Sequence, residues 1–145
     1  MALQAYTSLA AGARGITWFK YYQGGYAYAP IDNSGRATET WHYLQLVNRQ
    51  IKTLGPIMNR LTSTGVYFTS PPPDGSLPLL PGRVVTRVVS KAGSAGGGAA
   101  EPPLMVGEFL GEDGADHVMV VNLSLERSAN ILLELTEPRG LAQAV

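Results

Sequence analysis

The chain contains no cysteine, which excludes disulfides, thiol catalysis and zinc–cysteine sites. Histidine is almost as scarce, with only His42 and His117. Their separation rules out a helical metal pair, so neither a metal nor a cofactor is expected. Charged residues make up 15% of 145, where about 25% is usual for a soluble domain. Eleven basic and eleven acidic side chains cancel, leaving no overall field to steer nucleic acid or anionic lipid. Neither a nucleic acid nor a membrane partner is therefore expected. No apolar run reaches the roughly 18 residues that span a bilayer. Met1 to Ala13 is apolar but lacks a positive n-region, so it does not read as a secretory signal. Localisation stays open, since the absence of cysteine permits any compartment.

What is present is 45% hydrophobic residues together with 17 glycines and 10 prolines. Few charges on an apolar chain fit either a surface meant to be covered or a loop-rich Gly/Pro protein. The length suits one domain, or two small halves, with a modest core.

Ala2 to Ala11 holds good helix formers, and Gly12 is a natural stop. Gly15 to Tyr22 (GITWFKYY) is β-branched and aromatic and reads as a strand covered on both faces. Gln23 to Arg36 is a loop by its Gly, Pro, Asn and Asp content. Thr38 or Thr40 can cap a following helix, with Glu39 favourably placed near its positive end. Trp41, Leu44, Val47, Ile51, Leu54, Met58 and Leu61 fall on one helical stripe. Gly55-Pro56 predicts a kink or a restart.

Gly65 opens a strand through Thr69, and five prolines make Ser70 to Gly82 a stiff connector. Further strands are predicted over Arg83–Lys91, Leu104–Leu110, His117–Ser124 and Asn130–Leu135. Glu112-Asp113-Gly114 reads as a turn rather than a calcium loop, because alternate-position oxygens are missing. Ala92 to Ala100 is low-complexity, and the tail after Thr136 has no core pattern. The expected class is α+β, with a helix–strand–helix region over 1–70, a Pro-rich linker over 71–82 and an antiparallel β module over 83–145.

In its order of elements, AAGARGITWFKYY, then VNRQIKTLGPIMNRL, then the paired segments MVGEF and HVMVVN, the chain resembles the C-terminal end of a (β/α)₈-barrel glycoside hydrolase of the β-galactosidase-like kind. The resemblance implies the last βα unit of a barrel followed by a small β-sandwich. A complete barrel needs about 250 residues, so most of it is absent. The two carboxylates that cleave a glycosidic bond lie on earlier strands in that family, and neither maps onto this sequence. The resemblance thus implies a fragment acting on or binding β-linked glycans and catalytically incomplete alone. A non-catalytic carbohydrate-binding or assembly module is the alternative, and a small glycosidase with a newly formed carboxylate site a second one.

The resemblance places Trp18 at the sugar site, where an indole face can stack on a pyranose. Tyr21, Tyr22 and Tyr26, with Tyr28, offer rings and hydroxyls for a sugar-binding lip. Lys20 can bond a substrate hydroxyl or acid. The plainer alternatives are a core tryptophan, a loop exposing tyrosine and a solvated lysine. His42 reads as a packed or capping residue and His117 as a hairpin-edge residue. Glu39, Glu101, Glu108, Glu112, Asp113 and Asp116 show no spacing that singles out an acid/base pair. An oligo- or polysaccharide is the expected partner, along with a second copy of the chain, since uncovered apolar faces and strand edges promote self-association. Light scattering on the purified chain is expected to give a mass above the monomer, and a monomer at high concentration counts against the idea.

Overall fold

The computed structural model describes residues 1–71, 75–92 and 102–136. The glycine-rich stretch from 93, Glu101, the tail after Thr136 and positions 72–74 of the linker lie outside the described residues. Contacts divide the chain into two units, Met1–Arg60 and the part from Leu61 onward.

In the first unit, helix α1 spans Ala2–Ala10 and helix α2 spans Glu39–Met58. α1 buries Ala5, Leu9 and Ala10. It ends where Gly12, at φ +95°, adopts a left-handed backbone open to glycine. Leu44, Val47 and Met58 of the predicted stripe are buried in α2, and the Tyr6 hydroxyl donates to Gln50 Oε1 at 2.6 Å to tie the helices together.

Pro56 lies inside α2 and does not restart it. Its missing N–H costs one bond in the final turn, and the helix stops soon afterwards. Leu61, the last residue of the predicted stripe, belongs instead to a strand. Thr38 occupies the N-cap position, but its hydroxyl donates to the carbonyls of Ala29 (2.7 Å) and Pro30 (3.0 Å). It stitches the incoming loop to the helix rather than capping it.

Gly15 to Tyr22 does not form the predicted strand. It is irregular, and its sole ladder contact among the described residues is a parallel bridge from Tyr22 to Ile31. β-Branched and aromatic composition favours an extended chain, but a strand exists only when a neighbour takes its N–H and C=O groups. No named strand belongs to this unit.

The second unit contains β1 (Leu61–Phe68), β2 (Val85–Ala92), β3 (Leu104–Gly111), β4 (Asp116–Asn122) and β5 (Ala129–Leu135). They form a three-stranded sheet, β1-β3-β4, and a two-stranded sheet, β2-β5, with every pairing antiparallel. The chain is thus α+β. β1 pairs with β3, which is why the unit begins at Leu61, ahead of the prolines. The described part of the Pro-rich segment folds back on β1: Phe68 N–H donates to the Pro78 carbonyl (3.0 Å) and Leu80 N–H to the Phe68 carbonyl (3.1 Å).

The β3–β4 connection is the predicted turn. Gly111 N–H donates to the Ala115 carbonyl (2.8 Å), Ala115 N–H donates to Asp113 Oδ1 (3.0 Å), and Gly114 sits at φ +78°. The Asp113 carboxylate thus closes its own loop.

Alternation along β3 builds the core. Leu104 and Val106 project into a buried cluster with Val85 and Val88 of β2, flanked by Val118, Val120, Leu133 and Leu135. Two positions further, on the same face by the period of a strand, stands Glu108, which is 0% exposed. Its Oε1 accepts the backbone N–H of Val84 (2.9 Å) and Val85 (2.8 Å), and Oε2 accepts that of Arg83 (2.9 Å). A carboxylate of the β1-β3-β4 sheet therefore holds the entry into β2. Gly82 makes the approach possible: a Cβ there would collide with the Glu108 carboxylate and lie 2.7 Å from the Tyr67 ring. Glu108→Gln replaces one acceptor oxygen with an NH2 group that faces a backbone N–H donor, and it is expected to cost about 1–3 kcal/mol. Gly82→Ala is expected to cost a similar amount, about 1–3 kcal/mol, by overpacking. Urea unfolding followed by far-UV circular dichroism checks both, and unchanged midpoints would remove the clamp.

Candidate functional site

The aromatic run of the first unit lies on a loop that closes on itself. Ile31 N–H donates to the Tyr21 carbonyl (3.0 Å), Gln23 N–H to the Ile31 carbonyl (2.9 Å), and Asp32 N–H to the Arg36 carbonyl (2.9 Å). The tip is a tight turn from Gln23 to Tyr26, whose two central residues, Gly24 and Gly25, sit at φ +40° and +88°. That backbone suits paired glycines. Asn33 braces it from the opposite limb: its carbonyl accepts the Tyr22 hydroxyl (3.3 Å) and its Oδ1 accepts Gly24 N–H (3.2 Å).

A loop closed by its own backbone bonds has little interior to offer large side chains, so the rings face outward. Phe19 is 87% and Tyr28 88% exposed, while Tyr21, Tyr22 and Tyr26 are about half exposed. Phe19 meets Tyr26 edge-to-face with centroids 5.9 Å apart, and the Lys20 Nζ lies 4.0 Å from the Tyr26 centroid. The same ammonium donates to the Gly24 carbonyl at 3.3 Å. A cation on an aromatic face and a carbonyl is held rather than freely rotating. Tyr21 packs edge-on against Trp41 at 5.5 Å.

Of the residues expected at a sugar site, Lys20 and Tyr26 are thus brought together. Tyr21 and Tyr22 stand on the same closed loop, each with its own support. Trp18 is drawn elsewhere: its indole N–H donates to Asn48 Oδ1 of α2 at 3.0 Å, and the ring is partly buried. Phe19, Tyr28, Trp41 and the bracing Asn33 complete the surface. The assumed strand hid Phe19, because a strand covered on both faces buries all its side chains. Asn33 was legible only as a loop former.

The site contains little acid–base chemistry. Asp32 and Glu39 are the only carboxylates up to Arg60. Asp32 Oδ1 accepts the N–H groups of Ser34 and Arg36 (both 2.8 Å), an Asx turn that shapes the loop. Glu39 Oε1 accepts the Tyr43 hydroxyl at 3.1 Å. His42 is exposed on α2 rather than packed, and His117 lies half-buried near the β3–β4 turn. In the second unit Glu108 is buried under its three donors, and Asp116 pairs with Arg83. That partner raises the Arg83 guanidinium above its already high ordinary pKa. Among the described residues no three acidic or histidine side chains gather to hold a metal ion, and no helix is long and apolar enough to cross a membrane.

Tyr67, Phe68 and Phe109 are the only aromatic residues after Arg60. Phe68 and Phe109 are buried and Tyr67 is half-buried, so the β unit has no exposed aromatic platform. The chain matches no known protein family, no curated protein and no solved structure.

The Tyr43–Glu39 pair yields a pH signature. Donation to Glu39, reinforced by its negative charge, raises the Tyr43 pKa above the ordinary value of 10.0. A raised pKa means the favourable contact is complete below pH 10 and is lost as pH climbs through the folded-state value. Ultraviolet phenolate titration, with Tyr43→Phe to assign the signal, is expected to show Tyr43 ionising late. Glu39→Gln should bring it earlier.

Proposed function

We propose that this chain is the C-terminal portion of a carbohydrate-active protein of the glycoside hydrolase kind, binding β-linked glycans through its first unit without cleaving them alone. The observation that carries this reading is the outward-facing aromatic loop closed by its own backbone hydrogen bonds. Tyr26, Phe19 and Tyr28 present ring faces and edges to solvent on a backbone fixed by its own hydrogen bonds. Such a surface stacks on the C–H faces of a sugar with little entropy left to lose, and the tyrosine hydroxyls and loop carbonyls can bond sugar hydroxyls.

The expectation of binding without turnover is supported by how three of the carboxylates are engaged. Hydrolysis asks for two, set about 5–9.5 Å apart across the scissile bond. Asp32 is committed to its turn, Glu39 to Tyr43 and Glu108 to the β2 entry. A second reading, an assembly surface, draws on the same exposure of Phe19 and Tyr28 and on the exposed Leu46 of α2.

Binding and hydrolysis are measured together on β-glucan, xylan and β-galactoside substrates with the full chain. We expect binding without turnover. Tyr26→Ala should weaken it about three- to tenfold, the worth of one stacked ring. Turnover that disappears when a particular glutamate is changed would overturn the non-catalytic reading, and binding indifferent to Tyr26 would overturn the site.

A further inference from the structure

Among the described residues, strand β5 (Ala129–Leu135) has a neighbouring strand on one side only, β2. The direction of its backbone groups follows from its bonds. Thr136 N–H donates to the Val84 carbonyl (2.8 Å), and the Glu134 carbonyl accepts the Thr86 hydroxyl (2.9 Å), so these groups face β2. Val85, opposite Leu135, gives its N–H to Glu108 and its carbonyl to Gly82 instead. Directions alternate along an antiparallel ladder. The N–H and C=O groups of Ala129, Ile131, Leu133 and Leu135 therefore stand on the outer edge.

The side chains at this edge are apolar on both faces. Ala129, Leu133 and Leu135 pack against the buried cluster. Ile131 shares their face by the period of a strand, yet it is 41% exposed, and Leu132 on the opposite face is 62% exposed. β2 also ends the sheet, but its Val85 and Val88 are buried. Edge strands are commonly protected by lysine or proline, and Ala129–Leu135 contains neither. Its one charge, Glu134, lies 3.8 Å from Arg87 of its own sheet.

We propose that β5 is a dimerisation edge, pairing antiparallel with β5 of a second copy about a two-fold axis through Leu132. The sequence of the strand selects this occupant. A two-fold axis normal to the sheet keeps core faces aligned only if it passes through a residue, so that opposed residues share a face. Placed at Leu132, it pairs all seven residues of the strand. Leu132 then meets the partner's Leu132, and Ile131 meets the partner's Leu133. Asn130 meets the partner's Glu134, an amide donor against a carboxylate, and Ala129 meets the partner's Leu135. The exposed part of Ile131 gains a cover, and Leu132 falls where side chains of opposed residues approach most closely. An axis at Leu133 would set Leu132 against Glu134, and parallel pairing would stack Glu134 on Glu134, which is unfavourable. The edge is closed by the pairing, so assembly stops at two. The interface lies in the β unit, away from the aromatic loop, and does not depend on the glycan reading.

Sedimentation equilibrium of the full chain, over about a hundredfold range of concentration, is expected to show a reversible monomer–dimer equilibrium. Leu132→Lys places like charges together at the axis and should weaken the dimer about tenfold or more. Leu132→Glu should do the same, whereas an equimolar mixture of the two variants should restore dimers, because residue 132 meets residue 132. Ile131→Pro removes an N–H from the outer edge while sparing the ladder with β2, and it should also abolish the dimer. Leu132 is exposed, so its variants keep the test decisive if Ile131→Pro unfolds the chain, with far-UV circular dichroism reporting the fold. A monomer at every concentration overturns the proposal. A dimer indifferent to Leu132→Lys, or one lost in Phe19→Ala instead, overturns the assignment to β5. Failure of the mixed variants to pair overturns the axis, and masses that climb beyond two copies overturn the closed arrangement.

Discussion

Backbone donors that leave water must find acceptors inside the protein, and the β unit meets that constraint with one side chain. The chain enters β2 through Arg83, Val84 and Val85, where successive N–H groups turn to one acceptor at the start of the ladder with β5. Glu108, carried on the central strand of the other sheet, receives all three. A buried carboxylate without donors would be costly, and so would buried donors without an acceptor. Each removes the other's penalty. The arrangement also sets the packing: the two sheets meet over Val85, Val88, Leu104 and Val106, and the carboxylate fixes where along β3 the second sheet begins. Gly82 is a consequence, since no side chain fits between the carboxylate and the Tyr67 ring.

The first unit meets the same constraint differently. With no strand beside Gly15–Tyr22, its polar backbone groups look to the loop that follows. The bonds between Tyr21, Gln23 and Ile31, and between Asp32 and Arg36, are the result. Local closure of this kind turns the sheet-forming residues outward. Side chains suited to a covered strand end as a ring-rich surface, and this conflict between local composition and environment is what draws attention to a functional site.

Much of this was legible in the sequence, for identifiable reasons. The four strands expected after the prolines, and the Glu112-Asp113-Gly114 turn, follow from β-branched runs separated by turn formers, patterns governed by nearest neighbours. α2 follows from a stripe at steps of three and four. What was not legible depends on partners distant in sequence. Whether ITWFKYY pairs is decided by the presence of another strand, not by its own residues. β1 begins at Leu61 rather than Gly65 because β3 offers it a longer edge, with a bulge between Ser63 and Gly65 absorbing the mismatch. Glu108 looked like an unpaired acid in VGEFLG, and only the position of residues 83–85 explains it. At the site, Tyr21, Tyr22, Tyr26 and Lys20 were visible as a cluster of types, whereas the diversion of Trp18 to Asn48 required α2 to be in place.

The acidic residues and the exposed aromatic rings of this chain are divided between its two units. A retaining or inverting glycosidase needs acid groups converging on one bond, and the acidic residues of this chain are concentrated in the unit without exposed aromatic rings. The exposed rings are concentrated in the other. Within the first unit the only two carboxylates shape a turn and accept a tyrosine hydroxyl.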